Sequence, residues 1–197
     1  MPRSNDTGHG MRTFEWPIED IVTAHPDLYL EHCAVMAVAL MGRRSPPPCE
    51  FLVECEGFRL RQLGGETRFR LRVGWDEQTA VTAARVWLSE QPKPVVERAA
   101  VALAALAFAH LILGGQMRVT AEGQRADYWL PRLRCALEIS GTEQSRGLPR
   151  RHREKTAQML ANPWRWNGYV FLCCFAEARR RIRWSYHTQE GKEDVPV

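Results

Sequence analysis

Apolar and polar positions along the chain change period several times, and each change marks an element. Between Asp27 and Leu40 the residues Leu28, Leu30, Cys33, Val35, Met36 and Leu40 precede a stop at Gly42. With Pro17 and Pro26 placed where a first helical turn tolerates proline, this predicts two N-terminal helices. Ser45-Pro46-Pro47-Pro48 suits neither helix nor central strand and marks the best boundary before the rest of the chain. Phe51 to Leu60 and Thr67 to Val73 then alternate around Gly64-Gly65, the pattern of a hairpin. Asp76 is set to cap a helix carrying Ala80, Val81, Ala84, Trp87 and Leu88, which Pro92 and Pro94 break. A strongly apolar helix follows from Val95 to Leu113, stopped by Gly114-Gly115. Beyond it the pattern predicts strands at Gln116–Ala121, Arg125–Leu130 and Leu133–Ile139, with a turn at Glu122-Gly123-Gln124. A Gly-containing loop, Ser140–Pro149, leads to a helix at Arg150–Leu160 and to strands at Gly168–Phe175 and Arg181–His187. The expected organisation is a disordered start (1–12), helices plus hairpin (13–93), a core (94–187) and a flexible tail (188–197). The fold class is α/β, with a mixed sheet.

Composition bounds this picture. The 197 residues, 45% hydrophobic and 25% charged, suffice for one packed domain and exclude global disorder. The longest apolar run, Ala99 to Gly115, has His110 inside it and falls short of the roughly 20 residues that span a bilayer. No membrane association is expected. MPRSNDTGHG has neither the basic start nor the apolar stretch of a secretory signal, so a cytoplasmic location is expected. The six cysteines form no C-x-x-C pair and no zinc-finger spacing, which argues for structural thiols and no zinc.

Charge is uneven. Residues 1–98 carry 12 basic and 14 acidic side chains and residues 99–197 carry 15 and 9, within a net charge of +4. The basic residues crowd between 144 and 183, where Arg150, Arg151 and Arg153 lie on one helix. Such a patch receives a polyanion or forms a solvated basic face. Arg68, Arg70 and Arg72 share one face of their strand, a ladder that fits phosphate contact or simple exposure. Trp164 and Trp166 either stack on bases or ribose or cover the sheet edge. His110 reads as a core histidine, and His152 and His187 lie near the basic patch. The chain has no G-x-x-x-x-G-K-[ST], G-x-G-x-x-G, G-x-S-x-G or H-E-x-x-H motif.

One pair of acids stands out. Counting back from the tight turn at Pro131 to Leu133, Asp127 on one strand and Glu138 on the next fall roughly opposite each other. Paired carboxylates are costly without a cation or proton between them, and hard oxygens of this kind suit Mg²⁺ or Mn²⁺. Each acid alone also fits a structural pairing, Asp127 with Arg125 or Arg132 and Glu138 with Arg134 or Arg151.

Over residues 94–176 the order αβββαβ, with Asp127 on the second strand and Glu138 late on the third, resembles the PD-(D/E)xK nuclease superfamily and its restriction-endonuclease-like fold. The resemblance implies that Asp127 and Glu138 bind the metal and that Glu97, as the first-helix acid, is a further metal ligand. It also implies a catalytic lysine two residues after the glutamate. Here Leu137-Glu138-Ile139-Ser140-Gly141 puts Ser140 at that position, and Ala126 stands where the pattern has proline. Members of the superfamily move the cation to the next helix, where Lys155, one of three lysines, lies beside Gln158.

Two functions are expected from this. The first is a metal-dependent nuclease cleaving DNA or RNA, with Asp127, Glu138 and Lys155 catalytic and Arg150, Arg151 and Arg153 anchoring the backbone. The second is an inactive nuclease-fold subunit that binds nucleic acid or a protein partner in a bacterial assembly. Ser140 supports the second, as does a surplus of apolar residues in the segment 13–42, suited to partner docking.

Overall fold

The computed structural model describes residues 11–43, 45–120, 126–177, 180–189 and 195–196. Thr13–Pro17 forms β1, Asp20–Ala24 forms α1 and Glu31–Met41 forms α2. Cys49–Glu56, Phe58–Arg59 and Arg68–Gly74 are β2, β3 and β4. Glu77–Ser89 and Pro92–Leu111 are α3 and α4. Arg118–Val119, Tyr128–Leu130 and Cys135–Thr142 are β5, β6 and β7. Leu148–Leu160 is α5, followed by β8 (Gly168–Cys174), β9 (Arg181–His187) and β10 (Val195–Pro196). The fold is mixed α/β. Eight strands make one sheet in the order β1-β4-β2-β9-β8-β7-β6-β5, and β10 pairs with β3.

The sheet runs across the expected boundary. The β2–β4 hairpin from the first half joins β9 from the second in parallel register, Val53 opposite Ile182 and Cys55 opposite Trp184. Sheet alternation then sorts the side chains of these strands to two faces. Phe51, Val53, Phe69, Leu71, Leu137, Ile139, Phe171 and Trp184 join α2 and α4 in the main core. The opposite face carries a smaller cluster, Val170, Leu172 and Cys174 beneath Leu148 and Met159 of α5. By length and composition α4 is apolar enough to cross a membrane, yet it packs on α2, β7 and β8 as the central core helix. Its many buried alanines let these neighbours approach closely.

Several expectations need correction. Thr13–Pro17 is an edge strand parallel to β4, not the start of a helix. Phe14 and Trp16 pack on the core side while Glu15 pairs with Arg72 at 2.9 Å, and Pro17 is tolerated at an edge. Helix α2 begins at Glu31, so Pro26 precedes it by a turn of chain. The apolar surplus of segment 13–42 is largely buried within the chain, with Ile18, Ile21, Met36, Ala37 and Met41 at most 1% exposed. Asp76 does cap α3, its Oδ1 accepting from the Thr79 amide at 2.7 Å, but Val81 and Leu88 are exposed and Ala83 packs inward. Strand β7 runs through Thr142, because Ser140, Gly141 and Thr142 pair with Leu172, Cys173 and Cys174; Ser140 is therefore a strand residue, not a loop residue. The turn at Glu122-Gly123-Gln124 with residues 121 and 125 on either side, residues 1–10 of the expected disordered start and residues 190–194 and 197 of the tail lie outside the described residues.

Candidate functional site

The antiparallel pairing of β6 and β7 builds the site. Tyr128 is opposite Leu137 and Trp129 opposite Ala136, so continuing the register by one residue sets Asp127 opposite Glu138. Asp127 Oδ2 accepts the Ile139 amide proton at 2.8 Å, which fixes the carboxylate at the edge of β7. Glu138 is fully buried, on the sheet face beneath α5.

Helix α5 supplies the cation. Lys155 Nζ donates to Glu138 Oε2 at 2.7 Å and lies 3.3 Å from Asp127 Oδ2, spanning both acids. Gln158, one turn on, donates from Nε2 to Glu138 Oε1 at 3.3 Å, so both oxygens of the buried carboxylate are engaged. Burial, and then the Asp127 charge, push the Glu138 carboxyl up to about 7 despite the ammonium beside it. Burial opposes the charge on Lys155, but Asp127 and Glu138 outweigh it and raise its pKa. One ammonium thus faces two carboxylates.

Glu97, in the second turn of α4, reaches the far end of β7. Its Oε2 accepts the Gly141 amide at 3.0 Å and its Oε1 accepts from Ser140 Oγ at 3.3 Å. Gly141 permits this approach, since a Cβ there would meet the Val96 carbonyl oxygen at 2.3 Å. Ser140, at the position where the resemblance implies lysine, therefore holds Glu97, while Lys155 comes to the acids from the next helix. Arg151 donates to the Gly141 carbonyl and lies 3.8 Å from Glu97 Oε1. A cleft of about 360 Å³ opens here, lined by Glu97, Val101, Val119, Asp127, Tyr128, Ile139 and Lys155.

The other candidate residues fall elsewhere. Of the three α5 arginines only Arg151 turns toward the carboxylates; Arg150 is exposed and pairs with Glu154 at 2.7 Å, and Arg153 lines a groove on the other side of the helix. Arg68, Arg70 and Arg72 are paired with Glu54, Glu50 and Glu15 at 3.1, 2.8 and 2.9 Å, four strand positions away from β7. That ladder is neutralised by cross-strand acids of β1 and β2. His110 stacks on Trp16 and lies 3.1 Å from Asp20. The pattern along the chain gave no sign of His25, which is buried: its Nε2 donates to the Ala105 carbonyl at 3.0 Å and its Nδ1 accepts from the Met117 amide at 3.1 Å.

Asp127 and Glu138 offer hard oxygens in a cluster with more carboxylate than ammonium, which fits Mg²⁺ or Mn²⁺. Among the described residues no three His, Cys, Asp or Glu side chains converge as metal ligands, and Lys155 Nζ stands between the two acids, so an ion held by Asp127 and Glu138 would displace that ammonium and take water into the rest of its shell. No family model, curated protein or solved structure matches the chain, and the chemistry of the site stands on its own geometry.

Proposed function

We propose that this protein is a divalent-metal-dependent nuclease of the PD-(D/E)xK kind, hydrolysing phosphodiester bonds of DNA or RNA. The observation that carries this reading is Lys155 Nζ spanning Glu138 Oε2 and Asp127 Oδ2 from α5, because it supplies the positive charge that Ser140 cannot. Asp127 and Glu138 would hold the ion. When bound, Mg²⁺ or Mn²⁺ stabilises charge on a phosphoryl oxygen and makes a water more acidic. Gln158 and the Ile139 amide orient the two carboxylates, and Lys155 offsets the negative charge that grows on the phosphorus oxygens as water attacks and the 3′-oxygen leaves. Arg150 and Arg153, exposed on α5 but turned away from the carboxylates, would meet phosphates beyond the cleft, in contacts whose strength falls as salt rises.

The test is cleavage of labelled DNA and RNA with Mn²⁺ or Mg²⁺ at low salt, comparing wild type with Asp127→Ala and Glu138→Ala. We expect cleavage by the wild type and its loss in both variants, with circular dichroism showing the fold retained. Full activity in both variants would exclude the reading. Salt-sensitive binding without cleavage would favour the non-catalytic nucleic-acid-binding alternative.

A further inference from the structure

Three tryptophans line up beside this site. Trp129 lies on β6 two residues after Asp127, which stands just before the strand. Trp166 packs on Trp129 with centroids 4.4 Å apart, and Trp164 stacks on Trp166 at 6.0 Å with planes within 17°. The series runs outward and ends on Trp164, which is 60% exposed.

The loop holding the two outer rings is fixed. Asn162, buried, donates from Nδ2 to the Trp166 carbonyl at 3.0 Å and accepts the Trp166 amide at 2.9 Å. Gln189 adds a bond to the same carbonyl at 3.1 Å. Arg165 sits at φ 52°, a left-handed conformation costly for a residue with a side chain. Arginine there puts an exposed cation in the loop, between the two tryptophans in sequence.

We propose that Trp129, Trp166 and Trp164 form a stacking platform for unpaired bases, with Arg165 meeting the phosphates, so that the nucleic acid bound is single-stranded next to the carboxylate cleft. The exposed ring of Trp164, on a preorganised loop and backed by Trp166 and Trp129, takes the π-face of any base, whereas a duplex has its base faces already stacked inside. The proposal rests on the nuclease reading for the class of ligand, and binding separates the two.

The experiment is fluorescence anisotropy of labelled oligo(dT), and of the same strand paired with oligo(dA), with the full chain in EDTA at low salt. We expect wild type to prefer the single strand, and Trp164→Ala to weaken oligo(dT) binding by about tenfold with duplex binding unchanged. Trp164→Phe should retain the affinity. Since Trp164 is mostly exposed, its variants should melt as wild type does. Equal oligo(dT) affinity in wild type and Trp164→Ala overturns the platform and leaves the rings to packing or to a protein partner; so does an equal loss for single strand and duplex. Metal-dependent cleavage that survives such a result leaves the nuclease reading standing. Trp164-dependent binding without cleavage removes the nuclease and keeps the platform, and no binding to either probe removes the platform outright.

Discussion

Glu138 is a carboxylate whose surroundings oppose its charge. Burial and Asp127 lift it from an ordinary 4.5 to about 7, so between those values the folded chain holds a proton that the unfolded chain has released. Stability therefore falls as pH rises through that window, and the loss is complete above about 7. A site that accepts this cost keeps a negative charge ready for a cation. Glutamine has nearly the same shape and cannot ionise. We expect Glu138→Gln to be more stable than wild type at neutral pH, with the advantage growing from pH 4.5 to about 7 and flat beyond. Thermal melts of both chains across that range measure the gap, and a gap that does not change with pH would show that Glu138 ionises in the folded state as it does unfolded.

On α5 one turn of helix separates three tasks. Arg151, Lys155 and Gln158 follow at four- and three-residue spacing and meet the carboxylates, Leu148, His152 and Met159 face the sheet, and Arg153 and Thr156 line the far groove. What holds the helix down is a small cluster in which Met159, fully buried, is the largest contribution from α5. Met159→Ala should cost roughly 2–5 kcal/mol, as core truncations do. It should also slow cleavage, because Lys155 is placed only by the seating of α5. Chemical denaturation and the cleavage assay check both, and a stability loss with cleavage untouched would mean that Lys155 is held by its ion pairs alone. The carboxylate pair was legible in the sequence because a tight turn between antiparallel strands fixes which residues face each other. The reach of Lys155 was legible only as a possibility of helix spacing, since the distance from α5 to β7 depends on packing in space. The arginine ladder was legible as one face of a strand, but its neutralisation depends on the neighbours that β4 acquires, and one of these, β1, was read as helix through Pro17 despite the alternation of Phe14 and Trp16.

Across the whole molecule the sheet decides what is independent. The pattern along the chain marked Ser45-Pro46-Pro47-Pro48 as a boundary, and the helix, three strands, helix and strand of residues 92–174 appear in the expected order. Nothing local announces that β2 pairs with β9, because Cys55 and Trp184 are far apart in sequence and their pairing is parallel. Nor does periodicity reveal that α2 covers α4, since a helix that is apolar all round signals burial without naming the partner. Residues 94–197 hold every carboxylate and cation of the site, yet alone they would lose α2 from one side of α4 and β2 from the edge of β9. The exposed remainder would be an alanine- and leucine-rich helix and an unpaired strand carrying Ile182 and Trp184, both of which favour association over folding. Expressed by itself, 94–197 should therefore aggregate or lack a cooperative thermal transition, while the full chain melts in one step. A soluble monomeric fragment with a sharp transition would show that the first half is an appendage, whereas the expected failure would make residues 13–93 a structural support of the site, through the pairing of β2 with β9 and the packing of α2 on α4.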